Sequence, residues 1–187
     1  MFGRLLKCLE WTLGLVGAIA LAYWSFTTFE SERYQTQSEL ALDTALTSPV
    51  AAKPPEARDW LGRLEIPRVN LSVIVLEGDD DAILKLGVGH VPGTAVPGQA
   101  GNAALAGHRD TFFRSLRGIQ KGDEIRWTSP EYSGQYRVES MRIVDPTDLG
   151  VLDPTDNSSL TLITCYPFNF IGSAPQRFIV RARLVSN

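Results

Sequence analysis

Hydrophobic and polar positions divide the chain into three stretches. From Trp11 to Phe29, 19 consecutive residues carry no charge. As a helix this run is about 28 Å long, close to the hydrocarbon thickness of a bilayer. It has no polar face, which disfavours a buried helix of a soluble domain. From Glu30 to Leu46, Glu, Gln, Ala and Leu favour a helix continuing outward. Ser48-Pro49 and Lys53-Pro54-Pro55 then stop it and read as an extended linker. Beyond Trp60 the pattern changes to short apolar runs punctuated by Gly and Pro.

Those short runs read as strands. Leu61–Ile66 ends at Pro67, and Leu71–Leu76 is rich in β-branched residues. Asp79-Asp80-Asp81 precedes Ala82–Leu86 as a helix cap, since the spacing and terminal Glu of a calcium loop are missing. Gly87–Gly101 is a Gly/Pro-rich loop containing His90, and Asn102–Ala106 is a strand of small residues delivering His108 just past its end. Glu124–Thr128 and Gln135–Val144 form a hairpin pattern. Leu160–Thr164 is a buried strand ending at Cys165, and Phe178–Val185 alternates with the period of a half-buried strand. Seven or eight short strands with little helix predict an all-β domain, a closed or nearly closed β-barrel.

The flanks of the uncharged run set its orientation. Arg4 and Lys7 precede it and Glu30 and Glu32 follow, which keeps the N-terminus in the cytoplasm and sends the rest outward. Ala20-Leu21-Ala22 has the form of a cleavage site, but Tyr23, Trp24, Phe26 and Phe29 prolong the apolar run past it, as in an uncleaved anchor. The expected organisation is a cytoplasmic N-terminus (1–10), a transmembrane signal anchor (11–29), an extracytoplasmic stalk (30–60) and a β-barrel domain (61–187). Composition excludes other classes. With 44% hydrophobic and 21% charged residues the chain is neither disordered nor a polytopic membrane protein. The 18 Lys plus Arg stand against 21 Asp plus Glu, a balance that does not suit nucleic acid.

The two cysteines, Cys8 and Cys165, fall on opposite sides of the span and cannot pair. Cys165 is then a lone exported thiol, tolerable where it is buried or where it reacts. His108, Cys165 and Arg177 come from the ends of three strand candidates, and an antiparallel pairing of the last two strands makes Cys165 and Arg177 neighbours. An ordinary thiol, with a pKa of about 8.5, is mostly un-ionised at neutral pH, and only the thiolate attacks a carbonyl well. A nearby imidazolium favours the thiolate and can protonate a leaving amine. Guanidinium stays charged and donates hydrogen bonds to a carbonyl or oxyanion. Each residue also has a plain structural role open to it, as a buried small hydrophobe, a packed imidazole or a surface cation. Composition and spacing leave that choice open.

The local sequences resemble one family. Leu160-Thr161-Leu162-Ile163-Thr164-Cys165-Tyr166-Pro167 is similar to the cysteine signature of the sortases. Ala106-Gly107-His108-Arg109, with Gly101-Asn102 upstream, resembles their histidine signature, and Pro175-Gln176-Arg177-Phe178 the segment carrying their arginine. Gly89-His90-Val91-Pro92-Gly93-Thr94 matches a further sortase stretch, and Tyr166-Pro167-Phe168 looks most like class D or related housekeeping-type members. The resemblance implies an eight-stranded barrel transpeptidase on the outer face of the cytoplasmic membrane. It implies that Cys165 forms a thioester at the Thr of a Leu-Pro-x-Thr-Gly-like sorting signal, that His108 moves the protons and that Arg177 holds substrate or oxyanion. The partners it implies are surface proteins with a C-terminal sorting signal and an amine acceptor, such as a cell-wall precursor or a pilin lysine. No cofactor is expected, and calcium dependence stays open. His108 is preferred to His90 for the imidazole role, His90 being read as a loop-packing residue. Two rivals remain at this point: a zinc site of His90, His108 and Cys165, and a non-catalytic membrane-tethered adapter with a buried Cys165. An L,D-transpeptidase is disfavoured because no His lies near Cys165 in the chain.

Overall fold

The computed structural model describes residues 2–47 and 60–186; the side chain of Cys8 and the expected linker over 48–59 lie outside the described residues. Helix α1 (Phe2–Thr47) takes in both the uncharged run and the segment after it. It is long and apolar enough to cross a bilayer, and Trp11 and Trp24 on it are 80% and 66% exposed. Exposed apolar side chains along such a helix suit lipid.

Eight strands follow: β1 (Trp60–Ile66), β2 (Leu71–Glu77), β3 (Val88–His90), β4 (Asn102–Ala106), β5 (Glu124–Thr128), β6 (Ser133–Val144), β7 (Ser159–Tyr166) and β8 (Gln176–Ser186). They close into a barrel in the order β1-β2-β3-β4-β7-β8-β6-β5. Closure leaves no strand edge unpaired. The β2–β3 and β4–β7 pairs are parallel and the others antiparallel. Inward positions follow the period of two, as in Leu64 and Ile66 on β1, Ile125 and Trp127 on β5, and Leu160 and Leu162 on β7, all buried in one core. Helix α2 (Asp81–Leu86) begins as its sequence predicts: the Asp80 carboxylate accepts from the amides of Ala82 and Ile83 at 2.8 and 3.0 Å.

Two elements differ from the sequence expectation. The segment expected as a Gly-rich loop contains β3, which pairs with β2 and β4. Its middle residue must be glycine, since a Cβ on Gly89 would stand 2.2 Å from the Gly78 carbonyl oxygen. A three-residue strand with Gly at its centre has little intrinsic β preference, so long-range pairing decides it. The second difference concerns the stalk. Tyr34 and Leu42, on the same face of α1 as buried Ser38, lie against the outside of β2, where Leu42, Ile74 and Leu76 are completely buried. The Gln35 amide bridges two elements, accepting from the Ile74 amide at 2.9 Å and donating to the Leu86 carbonyl at 2.5 Å. The continuous apolar run of β2 follows from this, because both of its faces are covered.

An ion pair between exposed Arg68 and buried Asp123 ties the turn after β1 to the entry of β5. Arg68 Nε donates to Asp123 Oδ1 at 2.5 Å, and the Gln120 amide donates to Asp123 Oδ2 at 2.7 Å. Burial pushes the Asp123 carboxyl up, but the Arg68 hydrogen bond, the Gln120 amide and the Arg68 charge outweigh it and hold the group below its ordinary value. A depressed carboxylate adds stability above its unfolded pKa of about 3.9 and loses it as pH falls through the lower folded value. Urea unfolding followed from pH 7 to pH 2.5 is therefore expected to show a smaller acid loss of stability in Asp123→Asn than in the wild type.

Candidate active site

Strand β7 organises the site. Its inward residues, Leu160 and Leu162, lie in the barrel core, so Thr161, Ile163 and Cys165 point outward. On the antiparallel side Cys165 is the direct partner of Arg177, with Ile163 opposite Ile179 below them. On the parallel side Ile163 partners Ala106. The pairing continues past β4: the Gly107 amide donates to the Ile163 carbonyl at 3.1 Å, and the Thr164 hydroxyl donates to the Gly107 carbonyl at 2.7 Å. These two bonds carry the β4–β7 contact on to the residue before His108. Cys165 and Arg177 are thus paired directly, and His108 follows two residues after β4 on the segment beside β7.

Local sequence explains the placement of His108. A Cβ on Gly107 would stand 2.7 Å from the Phe113 ring, and Phe113 is a fully buried core residue. Glycine there lets the chain lie against that ring. The Phe113 amide then donates to the His108 carbonyl at 3.0 Å and turns the chain away. The His108 and Cys165 side chains are half-buried and make no hydrogen bond among the described residues, so no carboxylate orients the imidazole as in a Ser-His-Asp triad. Arg177 donates through Nη1 to the carbonyls of Ala174 and Gln176 at 3.3 and 3.1 Å. Its other N–H groups make no hydrogen bond among the described residues. On the opposite, inward face, Tyr166, Phe168 and Phe178 pack together with ring centres 5.4–6.4 Å apart.

Two loops flank this face. The loop between β6 and β7 includes a 3-10 turn (Leu149–Leu152). Buried Asn102 holds it, donating to the carbonyls of Val151 and Asp153 at 3.0 and 3.2 Å. The Asn102 carbonyl oxygen accepts from the Thr161 hydroxyl at 2.6 Å, which locks the loop to β7. Arg181 adds a bond to the Val151 carbonyl at 3.0 Å. Burial pulls the Arg181 guanidinium down from its ordinary value, the Arg142 charge adds to this, and Asp153 and Glu139 oppose it. The second loop, residues 167–175, joins Cys165 to Arg177 and is tied to Arg109. Sequence reasoning assigned no role to Arg109 or Thr164, because their partners are remote in the chain.

His90 lies elsewhere. It ends β3 on the inward side, opposite Leu105, rather than in an unstructured loop. It is 3% exposed, with Nδ1 2.9 Å from Glu77 Oε2 and Nε2 2.9 Å from the Ala95 carbonyl oxygen. Both ring nitrogens are engaged, so His90 packs the segment that follows it. No group of three His, Cys, Asp or Glu side chains that could hold a metal ion occurs among the described residues, so the suggested set of His90, His108 and Cys165 is not brought together.

Comparison with known proteins agrees with this architecture. The sequence profile of the family described as "Sortase domain" matches residues 64–185. Sortase D of Bacillus subtilis is 36% identical over 137 residues, covering 73% of this chain and 69% of that protein. The solved structure of a Clostridium perfringens Sortase D5 transpeptidase superposes with a TM-score of 0.67 at 25% identity, covering 83% of this chain and 98% of that one. Sortase A from Corynebacterium diphtheriae superposes with a TM-score of 0.65 at 30% identity, over 70% and 63%.

The Asn102 network makes a measurable demand on stability. Asn102→Ala removes two carbonyl partners from the loop and strands the buried Thr161 hydroxyl, an expected loss of about 2–4 kcal/mol. Chemical denaturation measures that loss, and faster amide hydrogen exchange over residues 149–153 would accompany it.

Proposed function

Because the chain belongs to the sortase family, whose members are cysteine transpeptidases, we propose that it cuts a Leu-Pro-x-Thr-Gly-like sorting signal and passes the acyl group to an amine. The observation that carries this reading is the alignment of Cys165 with Arg177 across β7 and β8, with the Gly107–Thr164 tie holding His108 on the other side.

In the proposed reaction the Cys165 thiolate attacks the Thr carbonyl carbon of the sorting signal. Charge moves onto the carbonyl oxygen, where free N–H groups of Arg177 donate hydrogen bonds. The Thr–Gly C–N bond then breaks, and the His108 imidazolium gives its proton to the departing Gly amine. This leaves a thioester on Cys165 and a neutral imidazole. An incoming amine attacks the thioester carbonyl, His108 takes its proton, and the thiolate departs to regenerate the enzyme. Water in place of the amine gives hydrolysis. Thiol, imidazole and guanidinium fill every role, so the proposed chemistry calls on no cofactor.

The same reading covers topology and partners. With Arg4 and Lys7 before the apolar run, α1 is a single-pass anchor with its N-terminus in the cytoplasm and the barrel outside. The donors are surface proteins with a C-terminal sorting signal, and the acceptor is an amine of a wall precursor or a pilin lysine. The likeness to Sortase D of Bacillus subtilis supports a class D-like assignment.

Mass spectrometry of the full chain against a library of pentapeptide sorting signals tests the proposal. The wild type is expected to form a thioester adduct and Cys165→Ala none; an adduct in the alanine variant overturns the nucleophile assignment. His108→Ala is expected to slow turnover about 10²–10⁴-fold, and Arg177→Ala about 10²–10³-fold.

A further inference from the structure

Arg109 follows His108 directly, and its guanidinium is spent on one loop. Nη1 donates to the Pro167 carbonyl at 3.1 Å, and Nη2 donates to the carbonyls of Phe170 and Gly172 at 2.7 and 2.9 Å. Its charge also lies 5.8 Å from the centre of the Phe170 ring. No carboxylate pairs with it among the described residues. A planar fork of five donors can hold three carbonyls at fixed angles, which the compact ammonium of lysine cannot do.

The loop needs such a clamp. Within residues 167–175 the backbone supplies one bond of its own, from the Phe170 amide to the Pro167 carbonyl at 3.3 Å. Yet the loop, which begins two residues after Cys165 in the chain, holds an apolar tip in solvent, with Phe170 44% and Ile171 97% exposed. Exposed apolar side chains on a loop that joins the thiol strand to the arginine strand form a contact surface for a partner. Without an anchor the tip would sample many positions, and peptide binding would have to order it first.

We propose that Arg109 is a positioning residue for the acyl-donor peptide: it ties the loop between the thiol and arginine strands to the segment bearing the imidazole, and so presets the apolar tip that receives the peptide. The inference rests on the transpeptidase reading above. It places the effect in peptide binding, because the loop is ordered beforehand in the wild type and at the cost of binding in a variant.

The test uses the full chain in lipid nanodiscs, as wild type, Arg109→Met and Arg109→Lys, with the pentapeptide that gives most thioester in the library screen. For Arg109→Met the peptide KM is expected to rise about tenfold or more with kcat changed by less than about threefold. Arg109→Lys should recover part of the loss by reaching some of the carbonyls. Hydrogen exchange over residues 168–173 should quicken in Arg109→Met. A wild-type peptide KM in that variant, a loss confined to kcat, or unchanged exchange of the loop overturns the proposal. Absence of any thioester in the wild type instead sinks the transpeptidase reading, while the exchange comparison still decides whether the clamp exists.

Discussion

The register of β7 is the constraint on which the site depends. The strand is paired on both sides, parallel to β4 and antiparallel to β8. Side chains alternate with a period of two, so a slip by one residue would turn Cys165 toward the aromatic cluster of Tyr166, Phe168 and Phe178 and expose Leu160 and Leu162. Full burial of those two leucines resists the slip, at about 1.5–3 kcal/mol for each side chain kept from water. The core therefore places the thiol without touching it. The Thr164 hydroxyl extends the same register to the residue before His108, where regular pairing has already ended.

The outside of the barrel is used in two ways. Over β2 it is a packing surface: Leu42 of α1 and Ile83 of α2 bury Ile74 and Leu76 there. Over β4, β7 and β8 it is left to the functional side chains, flanked by two loops. The docked part of α1 begins at Tyr34, five residues beyond the end of the uncharged run at Phe29. At 1.5 Å per residue that separation is about 7.5 Å, so a membrane-spanning α1 would hold the barrel close to the lipid surface rather than on a long tether.

Both flanking loops lack regular hydrogen bonding along most of their length, and each is held by a side-chain amide or guanidinium from the β4 region. Asn102, the first residue of β4, holds the loop before β7, and Arg109, three residues past the end of the strand, holds the loop after it. One short strand and the three residues after it thus supply the imidazole and an anchor for each loop. Polar anchors suit this task better than apolar ones, because loop carbonyls need donors wherever water is thinned out around them.

The linear sequence determined the apolar helix, seven of the eight strands, the Asp80 cap and the three chemical groups at the strand ends, because each rests on local periodicity, capping or a short motif. The brevity of Val88-Gly89-His90 hid β3, whose strand character comes from its neighbours. The docking of residues 34–42 was not read from the sequence, where 30–46 showed only a helix continuing outward from the apolar run. The His90 side chain looked like loop packing and turned out to be held by Glu77 and the Ala95 carbonyl at the end of a strand. Tertiary structure alone decided that Cys165 and Arg177 share a face of the β7–β8 pair and that Arg109 reaches a loop some sixty residues away. Those facts depend on which strands pair, in which direction and in which register, and strand pairing joins residues whose separation along the chain carries no local signal.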